Sequence, residues 1–80
     1  MPTPTSILAA QRVASTLREQ AELIRGRASQ LGAAGAAVRW QSSATTYFHR
    51  RLDVCLSALL TAAGQFERAA DEIIALAAVS

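Results

Sequence analysis

The sequence is poor in the residues that build chemical sites or covalent staples. It contains one cysteine, one histidine, two prolines and no lysine. A lone cysteine, Cys55, excludes an internal disulfide, and with only His49 beside it a zinc site of several His and Cys ligands cannot form. We therefore expect neither a metal nor a cofactor. Because folds as small as these 80 residues usually need a staple, a metal or a partner chain, oligomerisation is the remaining source of stability.

Long hydrophobic runs are missing too, and none reaches the roughly 18 residues that predict a membrane-spanning helix. The first residues lack a basic segment followed by a long apolar core, so no cleaved signal peptide is expected. The net charge of +2 is too small to indicate a nucleic-acid partner by itself. We expect a cytoplasmic protein, or one that is secreted after synthesis without a cleaved leader.

What the sequence has instead is heptad spacing. Thr5 or Ser6 is predicted to cap a first helix, after which apolar residues recur at alternating steps of three and four, as on one face of a helix. Gly32 could end this helix as a C-cap, but the row continues beyond it, so we predict a helix to about residue 37. The first row consists of Ile7, Ala10, Ala14, Leu17, Ala21, Ile24, Ala28, Leu31, Gly35 and Val38.

A second helix is predicted after a polar break, with Ser42 or Ser43 as its N-cap. It carries two neighbouring apolar rows, and Glu67 interrupts the second of them. The first of these rows consists of Phe48, Leu52, Cys55, Leu59, Ala62, Phe66, Ala69, Ile73 and Leu76. The other consists of Leu56, Leu60, Ala63, Ala70, Ile74 and Ala77. One helix cannot cover so wide a stripe, and an uncovered apolar stripe predicts a partner surface.

These patterns predict an all-α fold in a single domain of residues 1–80, with helices at about 6–37 and 44–78 and a turn at about 38–43. The two helices form an antiparallel hairpin, which pairs with a second hairpin into an elongated four-helix bundle. The predicted contacts with the partner are Leu52, Leu56, Leu59, Leu60, Phe66, Ile73 and Ile74.

An enzyme is not expected. The acid nearest to His49 along its helix is Asp53, one turn away, which is the spacing of an ordinary surface pair. Cys55 falls on an apolar row, where a free cysteine is expected to be a small buried hydrophobe. The acidic residues of the segment 67–72 surround an arginine on a helix, and we interpret them as a solvated face rather than a calcium loop.

The predicted turn is basic and aromatic. Such a cluster either binds single-stranded nucleic acid or an anionic surface, or is a solvated tip whose aromatic rings close the end of the hairpin. The basic members are Arg39, His49, Arg50 and Arg51, and the neighbouring aromatic residues are Trp40 and Tyr47. Of these two readings the solvated tip is favoured, which ranks nucleic acid behind a protein partner.

The turn also carries a pattern of small and aromatic residues. Trp40 is followed by Ser42 two residues later, by Ala44 after four and by Phe48 after eight. A small helical hairpin with this pattern resembles the WXG family, the early-secreted-antigen-like proteins of type VII secretion, with WQS in place of WxG. The composition, rich in alanine and arginine, is similar to that of the actinobacterial members.

The resemblance implies a dimer subunit of a type VII secretion system, either a secreted substrate or its partner, with a heterodimer favoured and a homodimer left open. The family's export signal, Tyr-x-x-x-Asp/Glu, is not present, since Arg51 stands four residues after Tyr47. The chain thus resembles the subunit without the signal. Two alternatives stay open: a cytoplasmic adaptor or chaperone-like partner of a larger secreted effector or toxin, and a binder of nucleic acid or an anionic surface through Arg39, Arg50 and Arg51.

Overall fold

Two long helices make up the part of the chain that the structure describes. The computed structural model describes residues 3–37 and 43–79; α1 spans Pro4–Ala36 and α2 spans Ser43–Val79. The helices pack against each other as an antiparallel hairpin that measures 62 × 15 × 9 Å. The predicted all-α hairpin is confirmed. Its least dimension is about one helix diameter, so the hairpin is a single layer.

The start of α1 differs from the prediction, because Thr3 rather than Thr5 or Ser6 is its N-cap. Thr3 has extended backbone angles, and the backbone N–H of Ser6 donates to Thr3 Oγ1 at 3.0 Å. Pro4 follows at the first helical position, where a missing N–H is harmless and the fixed φ suits a helix. The predicted cap was wrong because it placed Pro4 before the helix instead of in its first turn.

The glycines near the end of α1 do not interrupt it. The helix passes through Gly32 and Gly35 and ends at Ala36, as the continuing heptad row predicts. No glycine among the described residues has a positive φ, so Gly32 does not form a left-handed C-cap. Gly35 has a packing role instead, since a Cβ added there would overlap Cδ2 of Leu52.

The side of α1 that faces α2 is built from small residues. Its buried positions are Ala10, Ala14, Ala21, Ala28 and Gly35, and the last four are spaced seven residues apart. Leu17 and Ile24, from the same predicted row, are half buried, whereas Ile7 and Leu31 are exposed. Val38 lies outside the described residues. The close fit of the hairpin therefore depends on alanine and glycine rather than on large side chains.

The side of α2 that faces α1 corrects the prediction. The hairpin buries Leu52, Ala63 and Ala70, and the last two belong to the second apolar row of α2, the one that begins at Leu56. The positions that are buried or half buried there are Leu52, Leu56, Leu59, Ala63, Phe66, Ala70, Ile73 and Ala77. Phe48, Cys55 and Leu76 stay exposed. The apolar stripe covers four heptad rows, one of which Glu67 interrupts, and periodicity does not say which two rows face α1.

Candidate association surface

One broad face of the hairpin carries ion pairs between the helices, and we call it the ion-pair face. Arg18 Nη2 lies 3.1 Å from Asp71 Oδ1, and Arg25 Nη1 lies 2.5 Å from Glu67 Oε1. Arg25 Nη1 also donates to Glu22 Oε1 of its own helix at 3.1 Å. Pairs that link two helices at two levels favour one register and the antiparallel direction of the hairpin.

Arg25 and Glu67 shift each other's protonation equilibria. The hydrogen bond from Arg25 is the largest influence on Glu67 and holds the pKa of that carboxyl below its usual value of 4.5, with further help from the charges of Arg25 and Arg18. The same hydrogen bond raises the pKa of Arg25. Charged partners thus favour the ionised forms at neutral pH.

The opposite face of the hairpin is apolar. Leu17 of α1 and Ala62, Phe66 and Ala69 of α2 line a shallow groove there, with Gln65 at its edge. Residues seven apart lie on one side of a helix, so the same face extends to further heptad positions on both helices. We call this the groove face and define it by Leu17, Ile24 and Leu31 on α1 and by Phe48, Cys55, Leu59, Ala62, Phe66, Ala69, Ile73 and Leu76 on α2.

The groove face leaves much apolar surface in water. Phe48 is 49% exposed and Leu76 is 66% exposed, near opposite ends of α2. The predicted inability of one helix to cover the stripe is therefore confirmed. The acids that pair with Arg18 and Arg25 across the helices, Asp71 and Glu67, belong to the ion-pair face instead.

The structure distributes the predicted partner contacts over three environments. Leu52 and Leu56 lie towards α1, where Leu52 meets Gly35 and Leu56 Cδ1 lies 3.8 Å from the Cβ position of Gly32. The half-buried residues at the groove side are Leu59, Phe66 and Ile73. Leu60 and Ile74 lie seven residues before and after Glu67, and therefore on the ion-pair face. Leu60 is 53% exposed there.

Cys55 is exposed, so the expectation of a buried small hydrophobe is wrong for the hairpin. Its position is one heptad before Ala62 and two before Ala69, both of which line the groove. The alternation of threes and fours placed it correctly on an apolar row. Within that row, however, Leu52 packs against α1, whereas the positions of Cys55 and its heptad neighbours lie further from α1.

Part of the predicted turn pattern lies outside the described residues: Arg39, Trp40 and Ser42. Of the rest, Ala44 and Phe48 are exposed in the first turns of α2, and so are Arg50 and Arg51. His49 is half buried. The cluster of basic and aromatic residues is thus only partly placed.

The acidic segment of α2 is largely exposed, as the sequence predicts, but it also forms ion pairs with α1. Asp71 and Glu67 bind Arg18 and Arg25 of α1, whereas Glu72, also exposed, forms no ion pair with another described residue. Sequence reasoning missed these pairs because it considered partners only within one helix, and contacts between residues 42 and 53 positions apart need the hairpin register. Within residues 3–37 and 43–79, no group of three or more His, Cys, Asp or Glu side chains could hold a metal ion.

The described residues thus form two long faces of contrasting character. In the described part of the chain, no helix is both long and apolar enough to cross a membrane. What the geometry offers is one charged face that closes the hairpin and one apolar face that is left uncovered. No known protein family, curated protein or solved structure matches the chain.

Proposed function

We propose that the chain is a subunit of a four-helix bundle, whose groove face packs against a second helical hairpin, and that it serves as a WXG-like protein of type VII secretion. The observation that supports pairing is that the hairpin exposes more surface than a compact monomer of its mass. The hairpin exposes 5906 Å², whereas a compact monomer of 8.5 kDa exposes about 4,700 Å². The excess of about 1,200 Å² exceeds the roughly 800 Å² that each partner buries in a standard interface.

The shape of the hairpin supports a partner of the same kind. A layer 62 Å long and 9 Å thick has two sides, and no large side chain of its described residues is fully buried. Covering its groove face over the whole length requires a long apolar surface of similar width. A second pair of helices supplies that surface, with the packing of four-helix bundles.

The assignment to type VII secretion rests on the resemblance of the helical hairpin, and of the sequence pattern that begins at Trp40, to the WXG family. In that role the protein acts by association, as a secreted substrate or as the partner of one. Cell fractionation tests this part: protein in the medium of cells with an intact type VII system, and not in that of cells lacking it, supports secretion. Protein confined to the cytosol of both would favour the adaptor alternative instead.

The pairing is tested by a charge placed on the groove face. Phe66→Asp sets a carboxylate in the groove beside Leu17, and such a central contact is worth about 2 kcal/mol or more, or at least about thirtyfold in Kd. Val54→Asp is the matched control, because Val54 is an exposed apolar residue of the same helix, 62% accessible and outside the groove face.

Light scattering of purified protein, alone and after co-expression with candidate hairpin partners, gives the readout. The expected result is a complex of two hairpins that Phe66→Asp dissociates and Val54→Asp leaves intact. Circular dichroism of both variants reports whether the helices persist. A wild type that stays monomeric under all these conditions, or equal effects of the two substitutions, would contradict the pairing.

A further inference from the structure

Two neighbouring heptad rows of α2 lie along the groove, and each has a regular order of residues on either side of Ala62. The groove row is Phe48, Cys55, Ala62, Ala69 and Leu76, and the rim row is Arg51, Ala58, Gln65 and Glu72. Ala62 and Ala69 of the first row and Gln65 of the second all line the groove, which places both rows beside it. All four rim residues are exposed.

The groove row is nearly symmetric about Ala62. Phe48 and Leu76, each fourteen positions away, are large, whereas Cys55 and Ala69, each seven away, are small. A helix with this order of sizes is complementary in shape to itself when reversed, because large residues then meet large ones and small residues meet small ones.

In the rim row, residues of opposite charge lie at similar distances on the two sides of Ala62. Arg51 lies eleven residues before Ala62 and Glu72 lies ten residues after it. With a rise of 1.5 Å per residue, the two charges are equally far from Ala62 to within about 2 Å. When the helix is reversed about Ala62, a positive charge therefore falls opposite a negative one at both ends.

We infer that the second hairpin on the groove face is another copy of this chain, with its turn at the opposite end, so that Arg51 of each copy pairs with Glu72 of the other. This identity of the partner rests on the proposed function and specifies it. The arrangement is isologous, since each contact occurs twice around one two-fold axis. The axis passes near Ala62, close to the middle of α2, so the two hairpins overlap over most of their length.

The arrangement with both turns at the same end lacks this complementarity. There α2 lies on α1 of the other copy, and the rim of α1 is the row Val13, Gln20, Arg27 and Ala34. That row carries no acid to meet Arg51 and no base at the level of Glu72. Charge therefore favours opposite ends.

One contact opposes the inferred arrangement, and it provides a test. Gly32 lies against Leu56, so Arg27, five residues earlier in α1, lies close to the level of Ala62 and approaches its counterpart across the axis. Both side chains are exposed, where salt screens the repulsion. Arg27→Gln should therefore strengthen self-association, by about twofold to fivefold at low salt.

The main experiment exchanges charges between chains. Arg51→Glu and Glu72→Arg each replace two attractive contacts by two repulsive ones, so each variant alone should self-associate about tenfold more weakly at low salt. Mixing them in equal amounts restores both opposite-charge pairs in the heterodimer. We expect the mixture to associate within about threefold of wild type, as measured by analytical ultracentrifugation.

An ion pair within one hairpin is the control for the mixing experiment. Arg18→Glu and Asp71→Arg break the pair between the two helices of a single chain, so mixing those two variants should not restore it. Combining both changes in one chain should restore it. A mixture of the Arg51 and Glu72 variants that associates no better than either alone, while wild type is a dimer, overturns the inference.

Thiol cross-linking gives a second measurement that does not depend on charge. In a Cys55→Ala background, Ala62→Cys places one thiol per chain next to the two-fold axis, and oxidation should yield a covalent dimer. Val54→Cys, on an exposed position outside the groove, should not. Wild type should not cross-link either, because the two Cys55 side chains are about 20 Å apart along the axis, beyond the reach of a disulfide.

The outcomes separate the two proposals. A wild type that is monomeric alone but forms a complex with a different hairpin overturns the inference that the partner is a second copy. It leaves the proposed function standing. A dimer that Phe66→Asp dissociates, but that shows no cross-link at position 62 and no rescue on mixing, overturns the reversed arrangement alone. A chain that never associates with any hairpin overturns both.

Discussion

Leu52 lies over Gly35, and its Cδ2 occupies the space that a Cβ on that glycine would need. Leu52 is the only large side chain among the described residues that the hairpin buries, with 8% of its surface exposed. The contact joins the end of α1 to the beginning of α2. It requires glycine for close approach and not for a special backbone angle, since no described glycine has a positive φ.

Gly35→Ala should therefore act differently from Gly26→Ala, although both replace a glycine within α1. A Cβ at Gly26 meets nothing within 4 Å, so this change should raise the free energy of unfolding by up to about 1 kcal/mol through helix propensity. At Gly35 the same gain is opposed by overpacking, which costs about 1–3 kcal/mol. Chemical denaturation should rank Gly26→Ala above Gly35→Ala by about that amount.

A double-mutant cycle separates the contact from general effects on the helix. Leu52→Ala removes the obstructing methyl group, so Gly35→Ala should be better tolerated in that background than in wild type. A coupling energy near zero between positions 35 and 52 would show that Leu52 moves aside without cost.

Acid should destabilise the hairpin through Glu67. Arg25 lowers the pKa of this carboxyl from 4.5, so the folded state holds its proton less tightly than the unfolded state does. The stabilisation is then fully present above about pH 4.5 and is lost as the pH falls through the lowered pKa. Arg25 remains charged throughout this range. Denaturation curves measured from pH 7 to pH 2 should show the loss.

Glu67→Gln isolates this contribution, because glutamine keeps the shape of the side chain and does not titrate. The stability difference between wild type and the variant should be largest near neutral pH and should shrink as acid protonates Glu67. A difference that stays constant down to pH 2 would mean that the ion pair with Arg25 contributes nothing.

The N-cap of α1 can be identified by mutation. Thr3→Ala removes the oxygen that accepts the Ser6 N–H and should lower the free energy of unfolding by about 1 kcal/mol. Thr5→Ala lies inside the first turn, where alanine favours the helix, and should be neutral or slightly stabilising. Amide exchange at Ser6 should accelerate in the first variant only.

Thermal stability should depend on protein concentration. If the groove face is covered only in a complex, association stabilises the folded state by mass action, and Tm should rise with concentration. Phe66→Asp should flatten that dependence, whereas Val54→Asp should keep it. Calorimetry over a hundredfold range of concentration makes the comparison, and a constant Tm for wild type would argue for an independently stable hairpin.

The sequence predicts the helices well because their signals are local. The alternating steps of α1 continue through Gly32, and the helix does too. The predicted cap lay two or three residues too late because Thr3, Thr5 and Ser6 are all good capping residues, and only the position of Pro4 at the first helical residue distinguishes them.

The assignment of faces could not be predicted in the same way. Leu52 and Cys55 belong to one apolar row, yet one is buried and the other exposed, because the depth of a position depends on the rotation of α2 about its axis. The ion pairs of Arg18 and Arg25 share this dependence. They join residues of different helices, so their partners follow from the register of the hairpin and not from spacing along one helix.

The buried alanines of α1 set the width of the groove on the groove face. Ala14 and Ala21 hold α1 close to α2 with no exposed surface of their own, and each helix is a stiff rod over several turns. A larger side chain at Ala21, such as valine, cannot be absorbed locally and would push the two rods apart over that length. Leu17 and Phe66 would then be separated, although neither was changed. A substitution between the helices would thus widen the groove that is offered to a partner.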